Sequence, residues 1–196
     1  MSRKVQRVRY RLDAKGIPAL PLDEIAAILR GADTLIMSGG RSMLVKTLKG
    51  SRDKKLLDLH LDESPVYGYY NPLTMDEISA RVDWVILNGY IRIEYEYRLP
   101  LLCYTAKGWE IERETFAREL LHGFDEMLTA DQRAFDMTYL KDGPRDMIFL
   151  LLEMVEKTED PKYIPLLAAW AQVDYKKVRK QIRQVVDRLG QANGNA

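Results

Sequence analysis

The 196-residue chain lacks several features that would indicate a membrane or disulfide-bonded protein. Its one cysteine, Cys103, excludes an internal disulfide and a four-cysteine zinc module, and fits a reducing compartment. No apolar run approaches the roughly twenty residues that span a bilayer. No apolar stretch follows the N-terminal Met-Ser-Arg-Lys, so the sequence does not predict a signal peptide. We therefore expect a cytoplasmic protein without a membrane partner.

Catalytic motifs are also scarce. The phosphate-binding motif G-x-x-x-x-G-K-[ST] is absent, so the sequence contains no helicase motor. His60 and His122 stand alone, and a charged helix face explains the acidic residues from Glu110 to Glu126 better than a metal site does. Because no catalytic constellation is found, we expect a protein that is not an enzyme and that uses no cofactor or metal.

Positive charge is concentrated at the start of the chain, although the net charge is +1. Residues 1–55 contain 13 Lys and Arg against 5 Asp and Glu, whereas residues 56–145 contain 9 against 17. A phosphate-binding face requires such an asymmetry, but surface charge also serves solubility alone.

The sequence from Leu73 to Leu87 predicts a helix with a broad apolar face. Thr74 is a typical N-cap, with carboxylates in the first turn after it. Asn88-Gly89 predicts the end of this helix, because both residues tolerate the left-handed conformation.

A tight hairpin is predicted directly after this helix. Apolar and charged residues alternate from Ile91 to Arg98, Pro100 marks the bend, and Leu101 to Thr105 form the return strand. A helix followed by a two-stranded wing is the second half of a winged helix. We expect a mainly α (α+β) fold, with a two- or three-stranded wing sheet and a C-terminal helical region.

Short motifs in a fixed order extend this interpretation over roughly seventy residues. They are Gly40-Arg41-Ser42 before an apolar helix, Leu48-Lys49-Gly50-Ser51, Tyr67-Gly68, Trp84, Asn88-Gly89-Tyr90-Ile91 and the run from Leu101 to Gly108. With these motifs the segment resembles the RQC domain, the winged helix that follows the motor in RecQ-type helicases, and is similar to small stand-alone bacterial proteins of minor RQC families. The resemblance implies binding to duplex, forked or junction DNA.

The helix after Gly40 is the first predicted DNA contact. Its first-turn N–H groups and positive dipole end suit an anion, and Arg41 and Ser42 could bind the same phosphate. The alternative is an ordinary Ser-capped helix, and the resemblance favours the phosphate site. The basic surface is extended on and after this helix by Lys46, Lys49, Arg52, Lys54 and Lys55.

The wing and the N-terminus supply further candidates. In RecQ-like helicases the wing can carry an aromatic residue at its tip that helps to separate strands, and Tyr95 and Tyr97 occupy the comparable stretch. Glu94 and Glu96 would repel phosphates there, so Arg92 and Arg98 are better contacts. An arginine row near the N-terminus belongs to an edge strand, a backbone-binding strand or a basic arm. The predicted DNA contacts are Arg41, Ser42, Lys46, Lys49, Ser51, Lys54, Arg92, Tyr95, Tyr97, Arg98, Arg7, Arg9 and Arg11.

The C-terminal part has helical spacing, and from Arg145 onward it resembles HEAT-type helical repeats. Its last helix carries a basic band from Lys176 to Arg183, which we interpret as a solvated face rather than a second DNA contact. The predicted domains are a basic strand or arm (1–20), the RQC-like winged helix (21–112), a helical domain (113–190) and a disordered tail (191–196).

Two functions follow from the sequence. The favoured one is a non-enzymatic DNA-binding protein that holds duplex or branched DNA through backbone contacts. The alternative is a protein-interaction adaptor, in which the winged helix is structural and the helical C-terminal region docks a helicase or another partner.

Overall fold

A computed structural model describes residues 10–130 and 134–192. The chain forms two compact units, the first ending at Glu112 and the second beginning at Arg113. Within the described ranges, no helix combines the length and apolarity needed to cross a membrane. The N-terminal strand prediction falls largely outside these ranges, and Tyr10 to Leu12 have no regular structure.

Helices make up most of the described residues, and one antiparallel hairpin accompanies them. The elements are α1 (Leu22–Ala32), α2 (Arg41–Lys49), α3 (Lys54–Asp58), α4 (Met75–Leu87), β1 (Ile91–Glu96), β2 (Leu99–Tyr104), α5 (Ala106–Thr129), α6 (Arg145–Lys157), α7 (Ile164–Val173) and α8 (Lys176–Ala192). This arrangement confirms the predicted mainly α fold with a winged helix and a helical C-terminal region.

The predicted cap of α4 is confirmed as a complete capping box. The Thr74 hydroxyl accepts a hydrogen bond from the Glu77 backbone N–H (3.3 Å), and the Glu77 carboxylate accepts one from the Thr74 N–H (2.7 Å). Its hydrogen bonds with Thr74 lower the pKa of the Glu77 carboxyl group. Gly89 then turns the chain toward β1 with a φ of +72°.

The predicted position of the hairpin bend was wrong. Glu96 pairs with Leu99, so the turn is the dipeptide Tyr97-Arg98, and Pro100 lies inside β2 opposite Tyr95. Because the pair next to a two-residue turn is normally hydrogen-bonded, alternation makes the Tyr95–Pro100 pair a non-hydrogen-bonded one. The missing N–H of Pro100 therefore costs no ladder hydrogen bond.

The other edge of β2 contacts the segment before α2. Leu102 N–H donates to the Gly39 carbonyl (3.0 Å), and Met37 N–H donates to the Leu102 carbonyl (2.9 Å). An isolated parallel bridge joins Ile36 to Leu102. These contacts fix the wing to the segment that precedes α2.

The core of the first unit lies between α1, α2, α4 and the wing. Ile28, Leu44, Ile78 and Leu102, one from each of these elements, are completely buried in one apolar cluster. The burial of these aliphatic side chains provides the main driving force that holds the wing against the helices.

The second unit has its own core around Trp170 of α7. Trp170 is completely buried and meets Phe124 edge to face, with ring centroids 6.0 Å apart. Its indole N–H donates to the nearly buried Asp174 (2.7 Å). The likeness to HEAT repeats stays a prediction. Helix α8 continues through Gly190 to Ala192, and residues 193–196 lie outside the described ranges.

Candidate nucleic-acid interface

The polar residues of helix α2 lie on two different sides of the helix. Ser42, Lys46 and Lys49 follow the i, i+4, i+7 spacing that places side chains on one helix face, and none of the three is buried. Arg41 lies about 100° away, next to the buried face that contains Leu44 and Leu48, so the two predicted phosphate ligands point in different directions.

Arg41 forms an ion pair inside the first unit. Its Nε donates to one carboxylate oxygen of Asp83, and its Nη2 donates to the other at 2.8 Å. The side chains of Arg41 and Asp83 are 16% and 3% exposed, and the Asp13 N–H also donates to Asp83 (2.9 Å). Arg41 therefore satisfies a buried carboxylate on α4, and we leave it out of the proposed contact surface.

The other predicted residues of this region also have intramolecular partners. Lys46 pairs with Asp53 (2.7 Å), and this hydrogen bond lowers the pKa of the Asp53 carboxyl group. Lys49 donates to the carbonyls of Asn71 and Leu73, the latter at 2.8 Å. Ser51 Oγ accepts a hydrogen bond from the Asp53 N–H (3.3 Å). These contacts fix the chain that follows α2.

Three cations after α2 differ from Lys46 and Lys49 in their side-chain contacts. Arg52, Lys54 and Lys55 are exposed, and their side chains have no hydrogen-bond or ion-pair partner in the part of the chain that the structure describes. We call these three residues the α3 basic cluster. The sequence predicted all three as part of the basic surface, and Lys54 alone of the three was counted among the DNA contacts.

A groove of about 270 Å³ joins this cluster to the start of α2 and to the wing. Ser42, Lys55 and Pro100 line it from these three elements. The backbones of Gly40 and Pro100 are closely packed beside this groove, since a Cβ atom on Gly40 would lie 3.0 Å from the Pro100 carbonyl oxygen. No described side chain caps the N-terminus of α2. The Met43 N–H donates to the Gly40 carbonyl (3.0 Å), which leaves the Arg41 and Ser42 N–H groups of the described first turn available to an anion.

The two arginines of the wing differ in their contacts with the other described residues. Arg92 Nε donates to Glu94 (2.7 Å), and its Nη1 donates to the Tyr104 carbonyl (2.6 Å). This ion pair offsets the Glu94 charge that the sequence analysis expected to repel phosphates. Arg98 lies exposed in the turn, without an ion-pair partner among the described residues.

The two tyrosines of the wing are placed differently. Tyr97 occupies the turn itself, with φ +53°, and is 86% exposed. Tyr95 is half-buried inside β1, where it has contacts of its own. The aromatic side chain at the wing tip is therefore Tyr97.

Of the three predicted contacts near the N-terminus, the structure describes Arg11 alone. Arg7 and Arg9 lie outside the described residues, and Arg11 is exposed. Across the described ranges, no group of three His, Cys, Asp or Glu side chains is arranged to hold a metal ion.

These elements define a winged-helix domain with a groove between its second helix and its wing, and Lys55 is the one cation among the described residues that line this groove. A family model for the RQC domain matches residues 22–120, and the chain belongs to the RQC domain family. The RQC domain is a RecQ-related DNA-binding domain and is not catalytic. No curated protein matches the chain, and no solved structure does.

Proposed function

We propose that this protein is a non-enzymatic DNA-binding protein that holds duplex or branched DNA through backbone contacts. The groove between α2, α3 and the wing supports the proposal most directly, because it lies at the N-terminal N–H groups of α2 and is lined by Lys55 of the α3 basic cluster. Phosphate oxygens are the acceptors that both kinds of donor prefer. The proposed contacts are Ser42, the α3 basic cluster, Arg98 and Tyr97.

Unpaired cations are the better candidates because they bind phosphate without first breaking an internal ion pair. Arg41, Lys46 and Lys49 would each leave a carboxylate or carbonyl without its partner. Of these three residues, Lys46 pairs with Asp53 in the loop that presents the α3 basic cluster, whereas Arg41 and Lys49 connect α2 to α4 and to the segment before it.

Removing the α3 basic cluster should make DNA binding less dependent on salt. Each phosphate contact on duplex DNA contributes about 0.9 to the slope of log K against log salt concentration. We expect Arg52→Ala/Lys54→Ala/Lys55→Ala in the full chain to weaken duplex binding and to lower that slope by about 2 to 3. Fluorescence anisotropy over a range of salt concentrations measures both quantities.

The matched control keeps the charges and changes the side chains. Arg52→Lys/Lys54→Arg/Lys55→Arg should retain the slope of the unmodified protein, because backbone binding depends mainly on charge. If the alanine variant kept the original slope, this surface would not be the DNA contact. If the unmodified chain bound no DNA, the adaptor function would be favoured instead.

Tyr97 is proposed to stack on an unpaired base where a duplex opens. Stacking of one base on an aromatic side chain contributes about 1–3 kcal/mol. We expect Tyr97→Ala to weaken binding to forked DNA by about that amount and to leave binding to long duplex DNA almost unchanged. Parallel titrations with a fork and a duplex of the same sequence measure the difference.

Tyr97→Phe is the conservative control, since it keeps the ring and removes only the hydroxyl. It should bind forked DNA like the unmodified protein. Equal losses on fork and duplex in Tyr97→Ala would show that the side chain does not recognise the opened strand.

A further inference from the structure

Helix α8 presents a concentrated positive surface in the second unit. All of its cations in the first two turns are exposed. We call this set the α8 basic face, and its members are Lys176, Lys177, Arg179, Lys180 and Arg183.

The α8 basic face lies opposite the side of the helix that is packed into the second unit. Val178, Ile182, Val185 and Leu189 are all buried on that side. Lys176, Lys180 and Arg183 follow the i, i+4, i+7 spacing and form one row of about 10 Å along the outer surface. The row is therefore directed toward solvent by the packing of α8.

The charges of the α8 basic face are not neutralised within the described residues, since none of its members has an ion-pair partner there. Other cations of the same unit behave differently. Arg188 pairs with Glu156, Lys157 with Glu153, and Lys162 with Asp125. Helix α8 itself contains one acidic residue, Asp187, which follows Arg183 by four positions on the same side of the helix, and no ion pair joins the two among the described residues.

This arrangement does not stabilise the helix. Lys176 and Lys180 are like charges at i, i+4, as are Arg179 and Arg183, and such pairs repel each other. The same cations occupy the first turns of α8, where the helix dipole is positive and disfavours further positive charge. A polyanion bound across the face would relieve both effects, so the face is better explained by binding than by stability.

In place of the solvated face that the sequence favoured, we infer that the α8 basic face is a second contact for the phosphate backbone of DNA, outside the RQC match at residues 22–120. The inference rests on the proposed function, because a DNA-binding domain in the same chain raises the effective concentration of DNA at a second basic surface. A lipid surface fits less well, since a membrane-surface helix needs an exposed apolar face and that of α8 is buried.

The test uses the full chain and the central row of the face. Lys176→Ala/Lys180→Ala/Arg183→Ala should lower the slope of log K against log salt concentration by about 2 to 3 for long duplex DNA. Its melting temperature should stay the same or rise, because like-charge repulsion is removed. A purely structural role would lower the melting temperature and leave the salt slope unchanged.

The matched control removes three paired cations from the same unit. Lys157→Ala/Lys162→Ala/Arg188→Ala changes the net charge equally and should retain the original slope. If the α8 variant also kept that slope while the α3 variant lost it, the inference would be overturned and the proposed function would stand; an acidic protein would then be the better occupant of this face. If the unmodified chain bound neither duplex nor branched DNA, both proposals would fail.

Discussion

Replacement of Arg41 by alanine is expected to lower the free energy of unfolding by about 3–5 kcal/mol, because it leaves a buried carboxylate without its cation. Asp83 is 2% exposed and receives two hydrogen bonds from Arg41 and one from the Asp13 backbone. An unpaired charge at such a depth is far more costly than a lost surface ion pair. Denaturant unfolding of the full chain measures the loss.

The neighbouring Ser42→Ala variant is the natural control, since Ser42 is exposed on the same first turn of α2. It should change the unfolding free energy by less than about 0.5 kcal/mol. A second change at the partner position tests the mechanism. Arg41→Ala/Asp83→Ala should recover part of the stability that Arg41→Ala loses, because the unpaired charge is removed. A loss below about 1 kcal/mol in Arg41→Ala would contradict the assigned role.

The lower stability expected of Arg41 variants affects the measurement of their DNA binding. A variant that unfolds more easily binds less DNA even if the arginine never touches a phosphate. Affinity should therefore be measured where the variant is fully folded. Under those conditions we expect Arg41→Ala to affect binding less than loss of the α3 basic cluster does.

Local signals account for the parts of the fold that the sequence predicts well. The Thr74–Glu77 capping box, the Gly89 turn and the alternating β1 strand each depend on residues within a few positions of one another. The bend at Pro100 was misplaced because proline is common in turns, whereas here it occupies a strand position that needs no N–H donor.

The candidate site was harder to predict because contacts between residues far apart in the sequence decide which cations form internal ion pairs. Arg41 and Lys54 are both cations in a basic stretch, and charge alone does not distinguish them. The partner of Arg41 is Asp83, 42 positions away on α4. The helical spacing of α2 already placed Arg41 beside its buried face, and this signal could have identified the difference.

Gly108→Ala is expected to cost about 3 kcal/mol or more of stability, because the added methyl group has no space. A Cβ atom at Gly108 would lie 2.0 Å from the Tyr90 carbonyl oxygen, and a backbone atom cannot move aside as a side-chain end can. The same carbonyl accepts hydrogen bonds from the Thr105 N–H and hydroxyl, each at 3.1 Å. The substitution would therefore push the start of α5 away from the turn between α4 and β1.

Helix α5 also contains the matched control. A Cβ atom at Gly123 would meet nothing within 4 Å, so Gly123→Ala should stabilise the protein by about 0.5–1 kcal/mol through helix propensity alone. The two variants make the same chemical change in one helix, and denaturant unfolding should give opposite signs. A stabilising Gly108→Ala would show that α5 does not approach Tyr90 closely. In that case Gly108 would have no steric role in the packing of α5 against the turn before β1.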